Sequence, residues 1–159
     1  MNTQSMFMSP YDLSRFMEDI DYKEFDYLMS ADEVLAEMQG SCHDQVMLEL
    51  EELFKLGLNP NAKFIMAVDK DNIGGETHTF VYWSVSNTLV YWFENAWEDY
   101  RGIHRFSSEQ ELIDYIVDAF KQRNPHQYIF LSDFIPENHT IGEDLDTLVD
   151  ICMTTAIQL

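Results

Sequence analysis

Basic side chains are scarce in this chain: nine Lys and Arg stand against 29 Asp and Glu in 159 residues, a formal charge of −20. Residues 1–52 carry thirteen acids with only Arg15 and Lys23 as bases, and no base follows Arg123. Such a surface repels nucleic-acid phosphates and anionic membranes, so neither is an expected ligand. It suits a basic protein partner or serves solubility alone, and it allows the acids to mimic a nucleic acid in a partner's basic groove. Long apolar runs are also missing, none approaching the ~20 residues of a membrane span. The opening "MNTQSMFMSPYDLSRF" lacks a charged leader with an apolar stretch behind it, so export is not expected and the "NHT" at Asn138 is no glycosylation signal. Two cysteines, neither in a C-x-x-C spacing, give neither a disulfide framework nor a zinc ligand set. "NIGGE", without a Lys, is no phosphate loop. A reduced, cytoplasmic chain without metal or cofactor is the expectation.

Hydrophobic residues make up 46% and aromatics 14%, which is enough to build a core despite the charge. The length suits one domain spanning 1–159, with a motif-bearing core over about 30–131 between acidic N-terminal and C-terminal extensions. In "MSADEVLAEMQG", Ser30 and Glu33 have capping-box spacing and Gly40 closes a short helix. After Cys42, the residues Val46, Leu50, Leu53 and Phe54 recur at helical spacing, with Met47 widening the stripe and Glu49, Glu51 and Glu52 off it. "AKFIMAV" reads as a strand. "THTFVYW" and "TLVYWFE" flank "SVSN" as a hairpin. "SSEQELIDYIVDAFKQ" is a capped helix with Leu112, Ile116 and Phe120 on one side, "HQYIFLSDF" a strand, and "DLDTLVDICMTTAIQL" a terminal helix. Helix first and antiparallel sheet after is an α+β pattern.

The two cysteines differ in setting. A free Cys usually behaves as a small hydrophobe, and Cys152 within "VDICMTT" fits that description. Cys42 follows Gly40-Ser41 and opens a helix, where unpaired N–H groups and the macrodipole favour a thiolate and could hold an oxyanion.

Three motifs taken together, "GSCHDQV", "THTFVYW" and "YWFENAW" with "YRGIH" behind it, resemble the transglutaminase-like branch of the papain-like cysteine enzymes, in particular small bacterial or phage-type members. The likeness runs from about Ser30 to Phe120. It implies an α+β fold with the Cys-bearing helix packed on an antiparallel sheet. It also implies thiol chemistry on an amide or ester (a hydrolase, deamidase or acyltransferase acting on a peptide, protein or small amide) without a cofactor. Carried across, Cys42 is the nucleophile and His78 its general base. The third member, which holds the imidazole in the useful tautomer, matches Glu94 when counted back from Trp97, although the family commonly has Asp there. Papain-like relatives use Asn, so Asn95 competes.

Strand register offers a separate test. A three-residue loop Val85-Ser86-Asn87 sets His78 opposite Glu94; a two-residue loop Ser86-Asn87 sets it opposite Asn95. Turn chemistry tilts the choice to the longer loop and Glu94, and a β-bulge would shift the count. Of the other candidates, Asp44 suits the first helical turn as cap or site residue, and Gln39 or Gln45 is a candidate side-chain oxyanion donor. Trp97 and His104 are cleft or rim candidates. His43 diverges from Cys42 by ~100° around the helix and is expected at the helix start without a catalytic pairing to the sulfur.

Overall fold

The computed structural model describes residues 4–159, leaving the first three residues of the N-terminal segment outside. Among the described residues five α-helices run α1 Pro10–Met17, α2 Ala31–Glu37, α3 Cys42–Lys55, α4 Glu109–Arg123 and α5 Leu145–Met153. The strands are β1 Asp21–Tyr22, β2 Gln39–Gly40, β3 Asn61–Val68, β4 Gly74–Ser86, β5 Leu89–Glu94, β6 Gly102–Phe106, β7 Tyr128–Asp133 and β8 Ile157–Gln158. Strands β3–β8 form one antiparallel sheet in the order β6-β5-β4-β3-β7-β8, while β1 and β2 make a small parallel ribbon. The fold is therefore α+β, with the Cys-bearing helix packed on an antiparallel sheet.

Alternation along the strands sorts the core onto two faces. Val81, Trp83, Phe93, Ala62 and Phe64 meet Val46, Leu48 and Leu53 of α3, together with Leu13, Val34 and Leu148 from the other helices on that side. Phe80, Tyr82, Val90, Trp92 and Ile65 meet Leu112, Ile116 and Phe120 of α4 on the opposite face. Helix α3 is covered on most of its circumference: Leu48, Glu49 and Glu52 are buried along with Val46 and Leu53 of the expected stripe, Met47 and Leu50 are half-buried, and Phe54 is exposed. The expected stripe left Glu49 and Glu52 out because what covers them comes from elsewhere in the chain: Glu49 lies by Glu94 and His78 of the sheet, and Glu52 accepts from Ser5 Oγ at 2.6 Å.

Local signals held at the helix starts. Ser30 and Glu33 close a capping box at α2, and α4 is capped by the Ser108 hydroxyl, which accepts from Glu111 N at 3.1 Å. Gly40, however, does not end α2. Met38 does, in the left-handed conformation (φ 52°), and Gly40 lies in β2 beside Tyr22. Glycine is needed there for closeness, since a Cβ would stand 2.9 Å from the Asp44 Cβ. The segment read as one C-terminal helix stops at Met153, and its tail becomes the edge strand β8 against β7.

Neither loop considered for the hairpin is the one formed. Ser86 pairs with Leu89 across Asn87-Thr88, and a bulge at the exposed Val85 shifts the ladder so that Ser84 faces Val90 and Val81 faces Phe93. Extended by the same register, Glu94 lies beside Phe80, two residues along the face from His78. Opposed residues in this register share parity, so Glu94 keeps the face of His78 and Asn95 does not.

Candidate functional site

Helix α3 starts where three backbone constraints converge. Ser41 is its N-cap, and the Asp44 carboxylate accepts from Ser41 N (3.0 Å), Ser41 Oγ (2.9 Å) and Met29 N (2.8 Å). Asp44 is fully buried, and these bonds lock the turn that presents Cys42 as the first helical residue. Its role in the geometry is that of a cap. Gln45 is spent in the same way: Nε2 donates to Gly40 O (3.0 Å) and Oε1 accepts from Asn95 Nδ2 (2.7 Å). Asn95 Nδ2 also donates to Met17 O at 2.8 Å, so this side chain ties α1 to α3. Gln39, half-buried, pairs in β2 with Asp21.

On the sheet, β5 stops at Glu94 while β4 continues back past His78, which leaves that side of β4 open. There His78 Nε2 and Glu94 Oε1 lie 2.6 Å apart, and Glu94 Oε2 accepts from Asn95 N and Trp97 N, both at 3.0 Å. The glutamate is thus fixed by two backbone donors and is long enough to cross the two-residue offset left by the bulge. With Nε2 committed to Glu94, the ring nitrogen left for the sulfur is Nδ1. The Trp97 indole meets the imidazole edge-on at 5.2 Å between centroids. The imidazole also bears on the Cys42 thiol, by hydrogen bonding and by charge, so that Cys42, His78 and Glu94 meet at this open end of β4. Asn95 is turned away from the ring, and His104 stacks on Trp92 (4.6 Å) and bonds Tyr100 O, remote from the sulfur.

Burial works against the Cys42 thiolate, yet hydrogen bonding and charge from His43 and His78 bring its pKa down to about 6. Burial likewise opposes the imidazolium of His78, but Glu94, followed by the thiol, raises its pKa to about 10. Each partner favours the charged form of the other, which is the signature of an ion pair.

His43 departs from expectation. It is buried, with Nδ1 3.8 Å from Cys42 Sγ. Successive side chains do diverge about the helix axis, but Nδ1 is only two bonds from Cβ and folds back onto the neighbouring sulfur. Three further residues near the thiol escaped sequence reasoning. Tyr22 follows from the pairing of β1 with β2; its phenol is held above its ordinary range by burial, then by Cys42 and Glu24. Glu24 accepts from the Tyr22 hydroxyl at 3.3 Å. Glu49 lies two turns after Cys42 on α3, and its carboxyl is held well above the usual range by burial and then by Glu94. Only the i+7 spacing from Cys42 pointed to Glu49.

A cleft of about 500 Å³ opens beside His78, lined by Tyr22, Glu24, Trp97, Asp99 and Arg123 among others. The Arg123 guanidinium is held there by both oxygens of Glu76 (2.9 and 2.7 Å) and lies 5.5 Å from the Trp97 ring centroid. Among the described residues no group of three His, Cys, Asp or Glu is arranged to hold a metal ion, and no helix is long and apolar enough to cross a membrane.

The fold and site together define an α+β protein with cysteine, histidine and glutamate gathered at one end of an antiparallel sheet. No family model matches the chain, and no curated protein matches it. Among solved structures it is similar to Legionella pneumophila LapG (EGTA-treated), with 10% sequence identity and a TM-score of 0.45 over 91% of this chain and 76% of that one.

Proposed function

We propose that the protein is a thiol-dependent enzyme in which Cys42 attacks an amide or ester carbonyl, His78 moves the proton and Glu94 holds the ring. What carries the reading is the 2.6 Å His78–Glu94 contact beside a cysteine at a helix start. In this cycle the sulfur lone pair forms the S–C bond and the carbonyl pair moves to oxygen. Collapse of the adduct re-forms the carbonyl and breaks the bond to the leaving group, which takes a proton from His78. Neutral His78 then takes a proton from water, or from another acceptor, as that nucleophile releases the acyl group and restores the thiolate. Hydrolysis, deamidation and acyl transfer share this route and differ only in the acceptor. A peptide, protein or small amide in a reducing, cytoplasmic setting is the substrate class.

The test is acylation by 4-nitrophenyl acetate. One equivalent of nitrophenolate should appear as a burst, with the acetyl group mapped to Cys42, and Cys42→Ala should abolish it. A burst absent from the natural protein, or unchanged in Cys42→Ala, overturns the reading.

A second reading is that the acidic surface docks a basic partner and the thiol is incidental. It is favoured by the burial of Cys42 (4% exposed) and by a larger groove of about 1000 Å³ elsewhere, where exposed Phe54 and Ile135 meet Glu51, Glu109 and Glu137. Retention of a basic partner at low salt and its loss at high salt, equally with Cys42→Ala, would favour docking.

A further inference from the structure

We infer that His43 is a second imidazole of the reacting centre, donating from Nδ1 to the Cys42 thiolate and then to the oxyanion that forms when the thiolate attacks. This rests on the thiol-enzyme reading and adds to it the group that stabilises the developing charge.

The position of His43 is otherwise hard to account for. The residue is 6% exposed, its Nδ1 has the sulfur 3.8 Å away, and its Nε2 is buried with no hydrogen-bond partner among the described residues. A buried imidazole serving structure alone has its nitrogens satisfied, and an unsatisfied one costs about 1–3 kcal/mol. An apolar side chain would fill this space without that cost. The sulfur, at Nδ1, is the polar neighbour that gives this ring a use, while Nε2 stays unpaired.

The cycle also calls for a donor to the oxyanion, placed close to the sulfur. Gln45, one candidate for it, donates to Gly40 O and accepts from Asn95. His78 has Nε2 on Glu94 and needs its other nitrogen for proton transfer. The oxyanion is two bonds from Sγ, so a donor already beside that sulfur needs little ring motion to reach the about 2.7–3.1 Å required. The Cys42 backbone N–H, at the start of α3, is available as its companion.

The charged and titratable groups around His43 agree with a cationic ring. Cys42 and Asp44 face it from α3 and Glu24 from the segment after β1, and they raise its pKa although burial lowers it. His78 on β4 and Glu49 on α3 bear on the same sulfur. During the cycle the electron pairs move as described above; His43 gains and loses no proton overall, and its N–H bond to sulfur is exchanged for one to oxygen and back.

Two variants test it, His43→Gln and His43→Phe, in the full-length protein. The iodoacetamide rate at Cys42 is followed against pH, and the acylation rate with 4-nitrophenyl acetate is followed at a pH where the thiolate is fully formed. His43→Gln keeps a donor but not a charge: the thiol midpoint should rise by about one pH unit, with acylation by the formed thiolate within about tenfold of wild type. His43→Phe should lose about 10²–10³ in that acylation rate, the effect of removing one oxyanion donor. An unmoved midpoint in His43→Gln, or acylation in His43→Phe within threefold of wild type, overturns the inference. Should His43→Phe fail to fold, the His43→Gln midpoint decides alone. Failure of the thiol-enzyme reading would be seen separately, as a wild-type protein with no burst.

Discussion

Among the described residues two rows of cysteine, histidine and glutamate occur, and the pKa values of their thiols are displaced in opposite directions. In the second row, Cys152 Sγ lies 3.9 Å from His139 Nε2, and His139 Nδ1 lies 3.1 Å from Glu143 Oε2. Both sulfurs are buried, at 4% exposure for Cys42 and 2% for Cys152, so accessibility does not separate them. Charge does. Cys42 opens α3, at the positive end of the macrodipole, and has two histidines against it; its pKa falls to about 6. Cys152 is the penultimate residue of α5, among the helix's unpaired carbonyls, and burial followed by Glu143 pushes its pKa to about 12. Residue type and proximity alone therefore do not set a thiol's acidity; the sign of the neighbouring groups does, with the helix end acting in the same sense.

The sharpest way to break this contrast is to alkylate both cysteines at pH 7 and map the adducts. The pKa values put about five orders of magnitude between the thiolate fractions, and the lower intrinsic nucleophilicity of the more acidic thiol returns about half of that in logarithmic terms. Cys42 should therefore react about 10²–10³ times faster than Cys152, and equal rates would remove the distinction. Next in size is His78→Gln, which should raise the midpoint of the Cys42 alkylation–pH profile from about 6 by about one pH unit, because the imidazolium that favours the thiolate is gone; an unmoved midpoint would detach His78 from the sulfur. His139→Gln should leave Cys152 as unreactive as before, since that thiol draws no activation from its ring.

A subtler effect concerns Glu94. The thiolate is formed above about 6 and the imidazolium persists up to about 10, so the pair occupies the window between. Replacing Glu94 by Gln removes the largest influence raising the His78 pKa, so the alkaline limb of the acylation profile should move down by about one pH unit while the acid limb stays. An alkaline limb that does not move would detach Glu94 from the site.

The smallest effect lies behind the row. Glu49 is buried with one oxygen unpartnered, and burial, followed by Glu94, raises its carboxyl well above the usual carboxylate range. An unfolded glutamate releases its proton above about 4.3, so the native state binds more protons and stability from this group falls as pH rises. Glu49→Gln should remove that slope and stabilise the protein by about 1 kcal/mol at pH 8, with less gain at pH 5, as read from urea unfolding at the two pH values. An equal effect at both would mean that Glu49 is not the proton-holding group.

Much of this was legible in the chain. Capping residues at Ser30 and Ser108, the helical start at Cys42 and the β-branched and aromatic run around His78 are local signals, and local signals survive folding. The hairpin register was not legible, because one bulged residue at Val85 moves every later pairing by one and no propensity marks it. Glu94 stayed on the His78 face only because the combined shift preserved parity. The contact of His43 with the sulfur depended on a rotamer, and the proximity of Tyr22 depended on a parallel ribbon joining segments far apart in sequence.

By itself, then, the sequence determined the acidic surface, the α+β order of elements and which cysteine stands at a helix start, since each depends on composition or on residues within a turn or two of one another. The tertiary structure alone decided what surrounds each sulfur. Distances between groups on different elements are set by where β5 stops, how β4 is bulged and how α3 is seated against the sheet, and the electrostatics of a buried thiol follow from those distances.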